Sequence, residues 1–179
     1  MSALVERRVR AMTVAALVGL SGVIAWGGAS DALGAQAQPN ACRLLSQKDA
    51  ERILGKPVRR ETNLAGSQAS SCSYVAQKDP KRVVGLAAAE LPSDDEASKA
   101  YTKARVNAQF DGLEVENVRR LGQRAHWLPQ TNNFERTVLG EKIVLGELTV
   151  LNGRRVYTVY VAPPSKKKAR EAISLVIAD

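Results

Sequence analysis

Ile143-Val144-Leu145-Gly146-Glu147-Leu148-Thr149-Val150-Leu151-Asn152-Gly153-Arg154-Arg155-Val156-Tyr157-Thr158-Val159-Tyr160-Val161 is the stretch that decides the fold. Two runs rich in β-branched and aromatic residues flank Asn152-Gly153, the pair preferred in a type I′ two-residue turn, so the segment predicts a β-hairpin. With Asn152 and Gly153 in the loop, Leu148 faces Tyr157, Gly146 faces Val159 and Val144 faces Val161, all on an apolar face. Thr149 faces Val156, Glu147 faces Thr158 and Leu145 faces Tyr160 on a mixed one. Such a hairpin belongs to a sheet covered on one side. Gly146 removes bulk from the apolar face and leaves room for a helix or an aromatic ring.

Working outward, Pro163-Pro164-Ser165 ends the second strand and caps a helix over Lys166–Ala178, whose Ala169, Ala172, Ile173, Val176 and Ile177 form one stripe. Upstream, Phe134–Leu139 predicts a short strand, Thr131-Asn132-Asn133 a turn, Arg119–Glu135 an otherwise irregular stretch and Leu113–Arg119 a strand. Ser93 and Glu96 make a capping box for a helix that Asp111-Gly112 stops, with Ala97, Ala100, Tyr101, Ala104 and Ala108 on one face. Cys72–Gln77 and Arg82–Leu91 read as strands about a Lys78–Lys81 turn, and Arg59–Ser71 as a polar loop. After a lead-in at Gln38–Ala41, a two-turn helix starts at Ser46, with Asp49 completing its cap, and stops at Gly55 and Pro57. The order is αββαβ(β)ββα. It predicts an α+β fold: an antiparallel sheet of about five strands with helices packed on one face.

The first residues have another character. Arg7, Arg8 and Arg10 stand against Glu6, no charge falls between Ala11 and Ser30, and Ala35-Gln36-Ala37 matches an A-x-A cleavage pattern. Residues 1–37 therefore read as a secretory signal peptide and residues 38–179 as a single exported domain, periplasmic or secreted. An uncleaved membrane anchor is the alternative, although Gly19, Ser21, Gly22, Gly27 and Gly28 dilute the apolar run. Membrane contact is expected only in that case. Pro39-Asn40-Ala41 is a poor lipobox for Cys42, and Arg10 is out of place for a twin-arginine signal. Two cysteines in an exported chain, Cys42 and Cys72, favour a disulfide over free thiols.

Functional signals are sparse. Lysine and arginine number 26 against 18 acidic residues, a net charge of +8, which suits anionic envelope polymers or lipids as well as a plain solvated surface. Aromatics are only 4 % of the chain and no glycine-rich phosphate loop is present, so specific nucleic-acid binding is not expected. One histidine and no C-x-x-C leave no metal site, and no cofactor motif occurs. His126, the only histidine, is the one ready general base near neutral pH, and with Trp127 it could line a pocket. Lys166-Lys167-Lys168 places cations in a first helical turn, against the helix dipole, where an anion would offset them. These five residues are the candidate ligand-binding positions; no catalytic residue can be assigned.

Cys42-Arg43-Leu44-Leu45-Ser46 leading into Ala50–Gly55, then Cys72-Ser73-Tyr74, and later Leu121–Trp127, resemble a loose group of bacterial exported proteins and lipoproteins that carry a domain of unknown function. The resemblance implies an α+β fold and a Cys–Cys bridge, and it carries no activity. The sequence thus points to an exported, non-catalytic module of the cell envelope, with an envelope protein or an anionic polymer or lipid as partner. A small envelope enzyme using His126 and a cationic surface binder are the other readings.

Overall fold

The structure, a computed structural model, describes residues 38–61, 70–130, 136–138 (backbone only) and 141–178 (backbone only at 141 and 142). The expected signal peptide, residues 1–37, and the Thr131-Asn132-Asn133 turn lie outside these. Everything described falls in the second of the two units into which the chain divides, Gln36–Asp179.

The elements run α1 (Ala41–Leu44), α2 (Gln47–Leu54), β1 (Val58–Glu61), β2 (Ser70–Ala76), β3 (Asp79–Glu90), α3 (Asp94–Phe110), β4 (Glu116–Val118), β5 (Arg124–Leu128), β6 (Arg136–Val138), β7 (Glu141–Ile143), β8 (Gly146–Asn152), β9 (Arg155–Ala162) and α4 (Lys166–Ile177). The class is α+β, but the main sheet has seven strands rather than about five, in the order β1-β2-β3-β9-β8-β5-β4, every pair antiparallel. β6 and β7 form a separate two-stranded pair.

The additions have local causes. β1 lies where a loop was expected, because three of its four residues are charged, as suits a blunted sheet edge. β5 takes the expected irregular stretch: a short, half-polar segment has no strand signal until β4 and β8 pair with it. The expected strand from Ile143 breaks at Val144-Leu145, so its start pairs with β6 and the rest joins the sheet. The lead-in ends in α1, capped by the Asn40 side chain.

The β8–β9 hairpin forms, one residue out of the expected setting. Its loop is Gly153-Arg154, with Asn152 paired to Arg155, Leu148 to Val159, Val150 to Tyr157 and Gly146 to Val161. Gly153 has φ +58° while Arg154 has no positive φ, the pattern of a type II′ turn rather than I′. Neighbours hold it there: Gly153 N donates to Gln123 Oε1 at 3.2 Å, and Leu91 N to Arg154 O at 2.9 Å. Each partner moves by two residues, an even slip, so no side chain changes face.

The apolar face is the expected one. Leu148, Val150, Tyr157, Val159 and Val161 are buried there, under α1, α2 and α4. On α4, Ala169, Ala172, Ile173 and Val176 are the buried stripe. The Ser46–Asp49 capping box and the left-handed Gly55, φ +70°, bound α2 as predicted. Cys42 and Cys72 form a disulfide with Cα atoms 5.0 Å apart, and Tyr74 donates its hydroxyl to Leu45 O at 3.0 Å. Together they hold the α1–α2 segment on β2. A closed loop of 30 residues is worth about 3–4 kcal/mol in the chain-entropy model.

The helices do not all share one face. α3 packs on the opposite side of the sheet, through Ala97 and Tyr101 against Leu151, with Leu91 and Val156 beside them. Leu151 and Val156 are the apolar members of the mixed face, and they give α3 its seat. Ala97, Tyr101 and Ala108 are its only buried residues, so the expected small-residue face is only partly used. At the other end of this second face, Val75, Val83, Ile143, Leu145 and Ala162 form another small cluster.

Gly146 meets the aromatic ring that its small size allows: a Cβ built on it would clash with Cη2 and Cζ2 of Trp127, with Pro164 Cβ 3.1 Å away. Gly146→Val is therefore expected to lower unfolding stability by about 1–3 kcal/mol, the usual range for overpacking. Urea unfolding of variant and parent measures it; equal midpoints would contradict this account of the packing.

Candidate functional site

His126 and Trp127 are neighbours on β5, and strand alternation sends them to opposite faces. They therefore line no common pocket. Trp127 is buried on the first face between Gly146 and Pro164. His126 is buried on the second, 1 % exposed, beneath α3. Its ring meets that of Tyr101 edge-on, with centroids 5.0 Å apart and planes at 68°. Arg124 in turn lies over the Tyr101 ring, 4.7 Å from its centroid, and donates to Ser98 Oγ and Thr102 Oγ1.

These surroundings set the chemistry of His126. Burial, and then the charges of Arg105 and Arg124, lower its pKa from 6.5 to about 4. Nδ1 is buried without a hydrogen-bond partner among the described residues. An imidazole that stays neutral in the ordinary pH range, roofed by Tyr101 and flanked by arginines, is poorly placed to take a proton from a substrate. It acts instead as a wedge between α3 and the sheet.

The lysine run is partly accounted for within the fold. Lys166 pairs with Glu116, which stands opposite Trp127 across β4–β5. Lys168 N is capped by Ser165 Oγ. So the local rule broken at the start of α4 is offset by a carboxylate from the sheet edge. Lys166 and Trp127 share the first face, away from His126, and the five candidate residues form no single site.

The basic pairs are also separated. Lys81-Arg82 lies at one end of the sheet, where Asp79 binds Arg82 at 2.8 Å and Lys56 at 3.2 Å. These cations, with Lys56 the largest influence, hold the Asp79 carboxyl below the usual range. Arg154-Arg155 lies at the opposite end, where both bind Glu90, at 3.0 and 2.9 Å.

A groove of about 380 Å³ opens beside Asp79, and sequence reading missed it. Ile143 and Val144 form one wall, Pro163 and Pro164 another, and Asp79, Lys81 and Arg82 line the rim. Val144 is 47 % exposed, an apolar side chain left open to solvent where the chain steps from β7 to β8. The signal was present in sequence as two prolines and the apolar run Ile143-Val144-Leu145, but both read as plain strand ends. Only the break at Val144-Leu145 brings them together. Apolar walls with a few convergent charges are the usual make-up of a binding cleft.

Among the described residues, no group of three His, Cys, Asp or Glu side chains could hold a metal ion, and no helix is long and apolar enough to cross a membrane. Neither a known protein family nor a curated protein matches this chain.

The state of His126 has a measurable consequence. With its pKa depressed on folding, it leaves stability intact above about pH 6.5 and costs stability as pH falls from there to about 4. The difference of about 2.5 units corresponds to roughly 3 kcal/mol at the acid end of the window. The stability–pH profile of His126→Gln should be flatter than the parent's by that amount between these limits. Parallel profiles would contradict the buried neutral imidazole.

Proposed function

We propose that this protein is an exported, non-catalytic binding module of the cell envelope, and that the groove at Val144 and Pro164 is where it takes an apolar partner with anionic character. The groove carries the reading: apolar walls open to solvent, under a rim with Lys81 and Arg82 beside a single carboxylate, Asp79, which Lys56 also binds.

Compartment and resemblance support it. A disulfide joins Cys42 to Cys72, which is compatible with an oxidising location. The leader-like residues 1–37 and the likeness to exported bacterial proteins point the same way. The enzyme reading loses its general base, since His126 is buried under Tyr101 and a pKa of about 4 makes it a weak proton acceptor.

A photo-crosslinking residue at Val144, in protein made by its own cells, is expected to trap a discrete envelope component. The same residue at Lys103, exposed on α3, serves as control. Arg82→Glu should weaken the capture at Val144 several-fold, because it reverses one rim charge. Equal capture from both positions, or none from Val144, would count against the groove as the binding seat.

A further inference from the structure

At the end of the sheet opposite the groove lie five exposed arginines: Arg119, Arg120, Arg154 and Arg155 at the loop tips and the start of β9, and Arg124 on the α3 face. From the geometry we infer that this end is a preorganised docking surface for an acidic polypeptide segment, whose carboxylates enter between the Arg119-Arg120 loop and the Arg154 turn. The proposal concerns a second site and holds whatever the groove binds.

The support for these side chains is built into the fold. Arg155 and Arg154 converge on one carboxylate, Glu90, whose side chain is 14 % exposed. This internal contact orients the two guanidinium groups and leaves one of their two positive charges uncompensated. Arg124 is fixed by its stacking on Tyr101. The loop carrying Arg119 and Arg120 is stapled to the hairpin, since Gln123 N donates to Leu151 O at 2.8 Å and Gln123 Oε1 accepts from Gly153 N. Gly122, at φ +53°, lets it approach so closely that a Cβ would lie 2.5 Å from Leu151 O. Arg170 adds a bond from α4 to Arg119 O at 3.4 Å. Guanidinium forks held in place lose little freedom on binding and favour planar oxyanions over a diffuse negative field.

Arg120 itself carries the strain. Its φ of +59° makes it the one non-glycine residue in the left-handed region among those described. An arginine kept there, where glycine would be more comfortable, is an outlier of the sort that collects at functional positions. Neither Arg119 nor Arg120 makes an ion pair among the described residues.

Two features narrow the partner. The large exposed apolar side chains among the described residues are Val106, Phe110 and Val144; the first two lie toward the C-terminal end of α3 and the third beside the groove. A surface without them has nothing to insert among lipids, which disfavours a membrane. Asp94, Asp95 and Glu96 lie within about a turn of Ser98, which accepts from Arg124, so the α3 side of this end is less favourable to an entering carboxylate than the loop tips.

The test uses fluorescence anisotropy with labelled poly-L-glutamate at low and physiological salt. Arg119→Gln with Arg120→Gly removes two guanidinium groups and relieves the strained φ, so the variant should fold. It is expected to weaken binding by about tenfold or more, the loss of at least one charge-assisted contact. The charge-matched control, Lys48→Gln with Lys78→Gln, both exposed and away from this end, should stay within about twofold of the parent. Equal losses in both variants would mean that net charge alone binds the probe and would overturn the proposal. So would failure of the parent to bind poly-L-glutamate at low salt. Inorganic polyphosphate or phosphatidylglycerol vesicles binding more tightly than poly-L-glutamate, with the same arginine dependence, would replace the acidic polypeptide by a phosphate polymer or a membrane.

Discussion

The β8–β9 hairpin lies near the middle of the seven-stranded sheet, and its alternation decides what each side of the protein can be. Leu148, Val150, Tyr157, Val159 and Val161 turn one way and build the core beneath α1, α2 and α4. Thr149, Glu147, Thr158 and Tyr160 turn the other way, joined by Leu151 and Val156 at one end. That face offers too little apolar surface for a second full core. It carries one helix at one end and a small cluster at the other. Between them Thr149 donates to Glu147 Oε1 at 3.0 Å, and burial raises the Glu147 carboxyl above its ordinary range.

The same parity fixes the neighbours. Because β5 pairs with β8, Trp127 must share the core face with Leu148, and the missing side chain at Gly146 admits its ring. His126, one residue away, must go under α3. Two adjacent residues that look like one site in sequence are thus separated by the thickness of the sheet. The two ends of the hairpin diverge as well. One presents the apolar groove where β7 gives way to β8, and the other the arginines around Glu90.

What could be read from sequence was whatever local chemistry decides. The caps at Ser46, Ser93 and Ser165, the left-handed Gly55, the faces of the hairpin and the buried stripe of α4 depend on residues close in the chain. The turn setting did not, because Gln123 and Leu91, distant in sequence, hold the loop one residue further on. β1 and β5 were illegible for a related reason. Val58-Arg59-Arg60-Glu61 and Arg124-Ala125-His126 carry too few apolar residues to announce strands, and neighbouring strands supply the pairing. The placement of α3 turned on Leu151 and Val156, two residues too few to read as a second core. The groove and the arginine end are assembled from strand ends far apart in the chain, so no local motif marks either.

Compartment links the disulfide with the proposed leader and the proposed envelope role, and one measurement bears on all three: the intact mass of the protein recovered from its own cells, before and after reduction. The account predicts a chain beginning near Gln38, carrying no lipid, that becomes heavier by a pair of hydrogens when Cys42–Cys72 is reduced. A full-length chain with both thiols free would contradict it.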